Sequence, residues 1–264
     1  MKNRIWAFIV AMPALALLFT ACNKNDSDNN SGKAKMTVYL TDAPADYDAV
    51  NVDIQDVQVN ASNSDNGWQS IHLLRPGVYN LLNFRNGLDT VLASQELPAG
   101  EISQIRLVLG SNNSVVIDGN TYPLTTPSAQ QSGLKLNVHA TLTAGIEYRL
   151  WLDFDAARSV VTTGSNKYIL KPVIRTYTQA TGGTIKGIAL PLLHVSGVYA
   201  IQNADTIAAA KPDPLTGAYL IAGLNAGAYN LAIAGDSTVR DTLITNVNVT
   251  TGQVTIVNPV TLLP

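Results

Sequence analysis

The sequence predicts an all-β fold, with two antiparallel β-sandwich domains in tandem after an export signal and a polar tether. Apolar and polar residues alternate with a period of two after residue 34, as in Met36, Val38 and Leu40, and this alternation is typical of half-buried strands. The apolar runs are short and are separated by Gly, Pro and Asn turns. Many short strands joined by such turns favour a sandwich.

The amino-acid composition is sufficient for large hydrophobic cores and argues against a nucleic-acid partner. Of the 264 residues, 46% are hydrophobic and 14% are charged, so the chain has ample apolar material for its cores and few charges for its surface. The net charge is −2, and loss of Lys2 and Arg4 with an export signal makes the mature chain more acidic. No run of basic residues remains to neutralise phosphates, so we expect no nucleic-acid partner.

Residues 1–21 have the three-part layout of a secretory signal. Lys2 and Arg4 supply the positive start, residues 5–18 are apolar, and small residues precede Cys22. Phe19-Thr20-Ala21-Cys22 resembles the bacterial lipobox, which implies that Cys22 is lipidated and attaches the chain to a membrane. The alternative is an ordinary cleaved signal beside an incidental cysteine.

Residues 22–33 continue as a segment rich in Asn, Asp and Ser. After Cys22 this segment contains no apolar residue with which to bury surface, so it predicts a disordered tether. Asp26 and Asp28 either resemble the tags that send some lipoproteins to the outer face or simply solvate the linker. We therefore expect a lipid-anchored outer-membrane protein of the cell envelope, on the periplasmic or surface-exposed side.

The alternation changes phase once inside an early strand. The apolar residues of this strand fall into two sets on either side of Gln55-Asp56, namely Val50, Val52 and Ile54, then Val57 and Val59. A slip of one residue moves the apolar set to the other face unless the strand bulges. The sequence therefore predicts a β-bulge near Gln55-Asp56.

Three further predictions concern turns and boundaries. Asp118-Gly119-Asn120 predicts a tight hairpin, since Gly and Asn tolerate positive φ. Residues 89–95 are predicted to form a short helix before Leu97-Pro98. A shift to Ala, Gly and Thr around residues 180–183 predicts the boundary between a domain at residues 34–178 and a second at residues 181–264.

The second domain contains two strands that each carry Tyr after Gly, at Gly217-Ala218-Tyr219 and Gly227-Ala228-Tyr229. Together with Gly223-Leu224 and the opening Gly183-Thr184-Ile185, this pattern resembles the carboxypeptidase regulatory-like domain. The resemblance implies a prealbumin-type sandwich over residues 181–264, in which Tyr219 and Tyr229 are part of the fold.

The first domain contains a series of short motifs, namely Leu40-Thr41-Asp42-Ala43-Pro44, Val50-Asn51-Val52, Gly67-Trp68, Leu97-Pro98-Ala99-Gly100, Gln104-Ile105-Arg106-Leu107, Pro127-Ser128 to Gly133-Leu134-Lys135, Asp153-Phe154-Asp155 and Leu170-Lys171-Pro172-Val173-Ile174. Over about residues 34–177 this series resembles the domain-of-unknown-function family 4382, found on envelope lipoproteins. The resemblance implies a β-sandwich on the cell envelope and supplies no activity.

No catalytic motif is evident in the sequence. His72, His139 and His194 begin neither a His-x-x-Glu pair nor a His-Glu-x-x-His motif. A Gly-x-Ser-x-Gly elbow and a Gly-rich phosphate loop are also missing from the sequence. We therefore predict a non-catalytic protein without a cofactor or a metal.

Two groups of carboxylates leave alternatives open. Asp153 and Asp155 lie on one face of a predicted strand with their Cβ atoms roughly 7 Å apart, which fits acid/base work on a glycoside or a salt bridge to Arg158 or Lys171. The second group has enough carboxylate oxygens for a calcium ion, but the spacing of its residues does not match a calcium-binding loop. Asp42-Ala43-Pro44 also fits a turn in which the Asp side chain accepts hydrogen bonds from backbone amides. Its members are Asp42, Asp46, Asp48, Asp53 and Asp56.

The aromatic residues provide the candidate ligand site. Trp151 shares its face of the strand with Asp153, and Trp68 and Tyr39 lie on other strands. Exposed rings stack on sugars, whereas rings covered by a loop or a second domain are structural. The sequence thus favours a binding module for extracellular carbohydrate, with a structural or adhesive component that docks to an envelope protein as the alternative. A glycosidase is the least favoured reading.

Overall fold

The computed structural model describes residues 32–61, 66–126, 133–164, 167–178 and 182–264, and Ser31–Pro264 is one compact unit. These residues confirm the all-β prediction. The signal peptide, Cys22, almost all of the predicted tether and the boundary at residues 179–181 lie outside the described residues. Lys33, predicted to end the tether, is already in a strand.

The first sandwich has two sheets. Its strands are β1 (Lys33–Ala43), β2 (Ala49–Asn60), β3 (Trp68–Ile71), β4 (Gly77–Asn80), β5 (Thr90–Pro98), β6 (Gly100–Leu109), β7 (Ser114–Ile117), β8 (Asn120–Thr125), β9 (Leu134–Leu142), β10 (Glu147–Asp155), β11 (Val160–Gly164), β12 (Lys167–Leu170) and β13 (Ile174–Thr178). A 3₁₀ turn (Leu81–Phe84) and the short helix α1 (Ala156–Ser159) interrupt them. Neither of these helical pieces, within the described residues, has the length or the apolar run needed to cross a membrane.

One sheet of this sandwich has four strands in the order β13-β10-β1-β5, and the other has the order β11-β12-β8-β7-β2-β6-β9, with β3 and β4 also paired to β2. Apolar side chains from the two facing surfaces fill the space between the sheets, and Leu40, Ile54, Leu107, Leu152 and Phe154 are fully buried. Full burial of such a side chain contributes about 1.5–3 kcal/mol relative to exposure. The outer face of the four-stranded sheet carries the polar and aromatic residues.

The second sandwich is smaller and has its own core. Its strands are β14 (Gly183–Leu190), β15 (Val195–Gln202), β16 (Asp205–Ala210), β17 (Ala218–Leu224), β18 (Gly227–Gly235), β19 (Thr242–Val249), β20 (Val254–Ile256) and β21 (Val260–Thr261). One sheet has the order β17-β14-β20, with β21 also on β14, and the other has the order β16-β15-β18-β19. Tyr219 and Tyr229 come from opposite sheets and are both buried in this core.

Two local predictions are confirmed. The register between β2 and β6 shifts between Ile54 and Asp56, so the bulge lies where the apolar phase slips. Ile117 pairs with Asn120 across a two-residue turn, in which Asp118 and Gly119 both have positive φ. Both features depend on neighbouring residues alone, which explains why they were visible in the sequence.

Two expectations are corrected. Residues 89–95 are not helical, because Thr90–Pro98 pairs along β1 as strand β5 and this long-range pairing overrides the local preference. The sandwiches are also not purely antiparallel, since β1 runs parallel to β10 from Lys35 to Ala43 and shorter parallel pairs join β8 to β12 and β14 to β20 and β21. A chain that crosses between sheets can return to the same sheet in either direction.

Each sandwich contains the same local motif, a tyrosine corner, which the sequence analysis did not identify. The Tyr229 hydroxyl donates to the Asn225 carbonyl at 3.0 Å, and the Tyr79 hydroxyl donates to the Arg75 carbonyl at 2.5 Å. In both cases a glycine with positive φ, Gly77 or Gly227, lies two residues before the tyrosine. The shared pattern Leu-x-x-Gly-x-Tyr-Asn-Leu at residues 74–81 and 224–231 marks a tyrosine corner, in which the hydroxyl fixes the entry into a strand.

Loss of the corner bond is expected to weaken the second sandwich. Tyr229→Phe removes the donor to the Asn225 carbonyl and should lower the free energy of unfolding by about 1 kcal/mol. Tyr219→Phe is a matched control, because the Tyr219 ring is equally buried and its hydroxyl has no hydrogen-bond partner among the described residues. Urea unfolding of residues 31–264 checks both variants, and equal losses would contradict the assignment of the corner.

Candidate functional site

Three aromatic rings form a row across the outer face of the four-stranded sheet. Tyr39, Trp151 and Tyr177 are register partners on β1, β10 and β13. The ring centroids of Tyr39 and Trp151 are 4.8 Å apart and those of Trp151 and Tyr177 are 5.6 Å apart, with interplanar angles of 14° and 3°. Both faces of the Trp151 indole are therefore covered by tyrosine rings, so Trp151 presents an edge and no face to a ligand.

The row ends against the second sandwich. A Cβ at Gly223 would overlap the Tyr177 ring, so the absence of a side chain on β17 lets the backbone lie against that ring. Gly223 has φ +67°, which also favours glycine. The aromatic row thus continues from the first sandwich into the backbone of the second.

Arg175 on β13 also connects the first sandwich to β17 of the second, by hydrogen bonds. Its Nε donates to Asp153 Oδ2 at 2.8 Å, while Nη1 donates to the Gly223 carbonyl at 2.7 Å and Nη2 to the Ala222 carbonyl at 2.8 Å. The Asp153 and Arg175 side chains are only 11% and 27% exposed. Burial raises the pKa of Asp153, and the Arg175 charge opposes that rise. We call this group, Asp153 with Arg175 and the two β17 carbonyls, the arginine clamp.

The paired carboxylates do not share a site. Asp153 belongs to the arginine clamp, whereas Asp155 is the N-cap of α1 and accepts from the Arg158 amide at 2.9 Å. The predicted salt bridge to Arg158 is present with Asp155, at 3.9 Å, whereas the partner of Asp153 is Arg175. Each carboxylate on this strand therefore has a structural partner of its own.

The five aspartates of the early strands are also separated. Asp42 accepts from the Ala156 amide at 3.1 Å, so its partner is a distant helix and not the local turn that the sequence suggested. The others bind different groups: Lys211 for Asp46, the Gly119 amide for Asp48, the Asn112 amide for Asp53, and Ser70 for Asp56. Among the described residues, no cluster of three or more His, Cys, Asp or Glu side chains could hold a metal.

Asp42 differs from these other carboxylates because one of its oxygens is buried without a hydrogen bond among the described residues. It is 5% exposed, and its Oδ2 atom has no hydrogen-bond partner within the described ranges. Burial raises the pKa of Asp42 well above its usual value, and the nearby charges of Asp153 and Asp155 act in the same direction. Burial of the Asp42 carboxyl therefore costs free energy, and this cost is larger when the carboxyl is ionised.

A cleft of about 360 Å³ opens beside the row, between the two sandwiches. The edges of Trp151 and Tyr177 line it together with Asp89, Arg149 and Gln253. Trp151 Nε1 donates to Asp89 Oδ2 at 2.7 Å. The cleft therefore combines aromatic edges with donors and acceptors, a mixture that suits a small polar ligand.

Arg149 is held in place at the border of this cleft by Glu147. Its Nε and Nη2 donate to Glu147 Oε2 at 3.0 and 2.8 Å. A hydrogen bond from Thr37, followed by the one from Arg149, lowers the pKa of Glu147 to about 2. Glu147 is therefore ionised across the physiological range and keeps the guanidinium oriented.

Trp68 does not join the candidate site. It lies on β3, in the other sheet, where the Arg106 guanidinium is 4.4 Å and the Lys135 ammonium 5.6 Å from the ring centroid. Tyr39, Trp151 and Asp153 are thus brought together, and Trp68 is not. Cys22 lies outside the described residues.

Sequence reasoning missed Arg175, Tyr177 and Asp89. Arg175 and Tyr177 alternate on one face of β13, and that pattern was available in the sequence. What the sequence lacked was the register that sets Tyr177 beside Trp151 and Arg175 beside Asp153.

Comparisons with known proteins give one family and several distant folds. Residues 33–172 match the family described as Domain of unknown function (DUF4382). A comparison with curated proteins gives no match.

Solved structures with some similarity include the Bacillus anthracis TIE protein, the minor pilin GBS52 of Streptococcus agalactiae and a streptococcal ancillary pilin, at 11%, 11% and 12% identity and TM-scores of 0.24, 0.23 and 0.21. They cover 88%, 87% and 87% of this chain, which spans 34%, 97% and 63% of theirs. The chain thus spans about a third of the Bacillus protein and under two thirds of the ancillary pilin.

Replacement of Arg175 is expected to lower the stability of the folded protein strongly. Arg175→Met leaves the Asp153 carboxylate buried without its cation and should lower the free energy of unfolding by about 3–5 kcal/mol. Arg149→Met is the matched control on the same face, because its ion pair with Glu147 is more exposed and exposed ion pairs contribute little to stability. Similar losses in the two variants, measured by urea unfolding, would argue against the clamp.

Asp42 predicts a pH dependence of stability. Because its pKa is higher in the folded chain than in the unfolded chain, the folded state binds the proton more tightly. The free energy of unfolding should therefore fall as the pH rises from about 4 through the raised pKa. Asp42→Asn keeps an acceptor for the Ala156 amide and should remove this loss, so urea midpoints at pH 4.5 to 8 should diverge increasingly in favour of the variant. Parallel pH profiles would contradict the prediction.

Proposed function

Since the chain belongs, over residues 33–172, to a family described as a domain of unknown function, we propose from its geometry that it is a non-catalytic structural or adhesive component of the cell envelope. In this proposal Cys22 is the lipidated anchor at the outer membrane, residues 22–31 are the tether, and the two sandwiches form one displayed body. The second sandwich is of the carboxypeptidase regulatory-like type, as its Gly-x-Tyr strands suggest.

The arginine clamp is the observation that carries the proposal. One guanidinium binds a carboxylate of the first sandwich and two backbone carbonyls of the second, and charge-assisted bonds of this kind are the stronger class of hydrogen bond. Lys211 of the second sandwich also pairs with Asp46 of the first at 2.7 Å. A structural component must keep its domains in a fixed orientation, and these bonds supply that constraint.

The faces of the Trp151 and Tyr177 rings are covered, which favours a structural function over a function in which these rings stack on a sugar. A ring that binds a sugar by stacking must offer one free face. Trp151 is covered on both faces, and Tyr177 lies between Trp151 and the backbone of Gly223. Trp151 is therefore part of a stacked row that ends, through Tyr177, against the second sandwich.

Strand β19 provides the surface for a partner. It ends its sheet, pairs with β18 alone among the described strands, and contains neither a charged residue nor a proline over Thr242–Val249. Leu243 on this strand is 57% exposed. Natural proteins protect such edges with charge, proline or a bulge. Strand β19 bulges between Ile244 and Val247, where Asn246 has positive φ, so its regular end at Thr242–Ile244 is the part that can accept a strand from another chain.

Carbohydrate binding is the second candidate, and the 360 Å³ cleft is the observation that favours it. Arg149, Asp89 and Gln253 offer donors and acceptors beside the edges of Trp151 and Tyr177. A sugar bound there would be held by hydrogen bonds and not by stacking. This candidate predicts loss of binding in Gln253→Ala.

Photo-cross-linking on whole cells tests the proposal. A benzophenone residue in place of Leu243 should form an adduct with one envelope protein, and Leu243→Lys should prevent co-purification of that protein because a lysine on an edge opposes strand pairing. Leu74→Lys is the matched control, since Leu74 is 53% exposed on the first sandwich and should leave the partner bound.

The absence of an adduct at Leu243 would overturn docking at β19. A glycan panel on residues 31–264 separates the two candidates. Saturable binding of one sugar class that is lost in Gln253→Ala and kept in Leu243→Lys would establish the carbohydrate function in its place.

A further inference from the structure

A groove of about 810 Å³ lies on the molecule apart from the aromatic row. One wall is the segment 82–88 of the first sandwich, and the other walls are β14, the loop at residues 211–218 and the end of β20. Its volume falls in the range of about 300–1,000 Å³ that is typical of small-molecule sites. Of the residues that line it, only Lys211 has a part in the proposed structural function, through its ion pair with Asp46.

The walls of the groove are mostly apolar and are open to solvent. Leu88 is 63% exposed, Ile256 is 70% exposed and Ile188 is 37% exposed, and all three line the groove. A contiguous set of exposed apolar side chains on a soluble body marks a binding surface more often than scattered ones do. The body of a ligand for this groove is therefore apolar.

The charged residues of the groove are mainly basic. Arg85, Lys186 and Lys211 line it, against Asp213. Asp213 Oδ1 already accepts from the amides of Leu215 and Thr216 and from the Thr216 hydroxyl. Within the described ranges, the side chains of Arg85 and Lys186 make no hydrogen bond or ion pair, and the charge of Arg85 also acts on the buried Asp42 carboxyl. Both cations can therefore still take up an anion.

Two polar atoms of lining residues also lack partners. In the described part of the chain, the Tyr219 hydroxyl and Asn86 Oδ1 are buried without a hydrogen bond, although a buried hydroxyl usually finds one. The Tyr219 hydroxyl lies against Gly187, which itself lines the groove and has no side chain to cover it. Burial raises the pKa of Tyr219 to about 12, so the hydroxyl keeps its proton at neutral pH and can donate.

We infer that the groove binds an amphipathic anion, a single carboxylate on an extended apolar body such as an acyl chain. The apolar body lies on Leu88, Ile188 and Ile256, and the carboxylate pairs with Arg85 and Lys186, with the Tyr219 hydroxyl as a neutral donor. A polyanion does not fit the apolar walls. A neutral hydrocarbon would leave the two cations unused.

Titration with amphiphiles that share one tail tests the inference. Residues 31–264 form one compact unit with both cores inside it, so this soluble piece can be studied without detergent. Isothermal titration with monomeric dodecanoate should show saturable binding at one site. Dodecyltrimethylammonium, with the same tail and the opposite charge, should bind at least about tenfold more weakly, as expected for the loss of charge-assisted bonds.

Variants assign the binding to this groove. Lys186→Gln should weaken dodecanoate binding about tenfold, and Ile256→Asp should abolish it, without loss of stability because both side chains are exposed. Tyr219→Phe should weaken binding while leaving the unliganded protein as stable as before, since that hydroxyl has no partner to lose. Leu243→Lys on β19 should bind dodecanoate normally, which separates this site from the proposed docking edge.

Three results would overturn the inference. They are no saturable binding of dodecanoate, equal binding of the two charged amphiphiles, and dodecanoate binding that is unchanged in both Lys186→Gln and Ile256→Asp. The first shows that the groove takes no acyl carboxylate, the second that the basic residues do not select the ligand, and the third that the ligand binds elsewhere.

Discussion

The hydrogen bonds from Arg175, oriented by Asp153, to two carbonyls of β17 are the interaction on which the arrangement of the two sandwiches depends. An arginine has five donors in a planar fork, and here that fork reaches a carboxylate on β10 and two carbonyls on β17 at the same time. Asp153 and Arg175 both belong to the first sandwich, so separation of the sandwiches would keep their ion pair but would leave the Gly223 and Ala222 carbonyls without their charged donor. The two domains therefore behave as one body.

The aromatic row follows from the same constraint. The Arg175 guanidinium carbon lies 5.3 Å from the centre of the Tyr177 ring, and that ring stacks on Trp151, which in turn stacks on Tyr39. Each ring is held by the one beside it, and the last is held by the backbone at Gly223. Cross-strand aromatic pairs stabilise a sheet, and here the series extends across the junction. Tyr39 and Trp151, which the sequence suggested as ligand-binding rings, are thus members of a row that ends at the junction, whereas Trp68 is not.

The remaining open surfaces divide between two uses. The edge of β19 offers backbone groups without side-chain charge, which suits another strand. The 810 Å³ groove offers apolar walls with unpaired cations, which suits a small amphipathic anion. The two features lie on different elements and suit different chemistry, so the proposed docking edge and the proposed ligand groove are separate sites.

The sequence by itself determined which face each strand buries. Period-two alternation identified Leu150, Leu152 and Phe154 as core residues and located the bulge near Gln55-Asp56 and the hairpin at Asp118-Gly119, because these features depend on residues close together in the chain. Alternation also placed Trp151 and Asp153 on the opposite face. It could not say what covers that face.

Only the tertiary structure decided what covers it. Asp153 meets Arg175 across 22 residues, and Arg175 meets Gly223 across 48, so the partners are set by strand register and domain packing and leave no local signal. The same holds for the parallel pairing of β1 with β10 and for β5, which becomes a strand because β1 lies beside it. Interactions between residues close in sequence determined where the strands lie and which face each one buries. Pairing between distant strands determined whether the polar faces contact solvent, a ligand or the other domain.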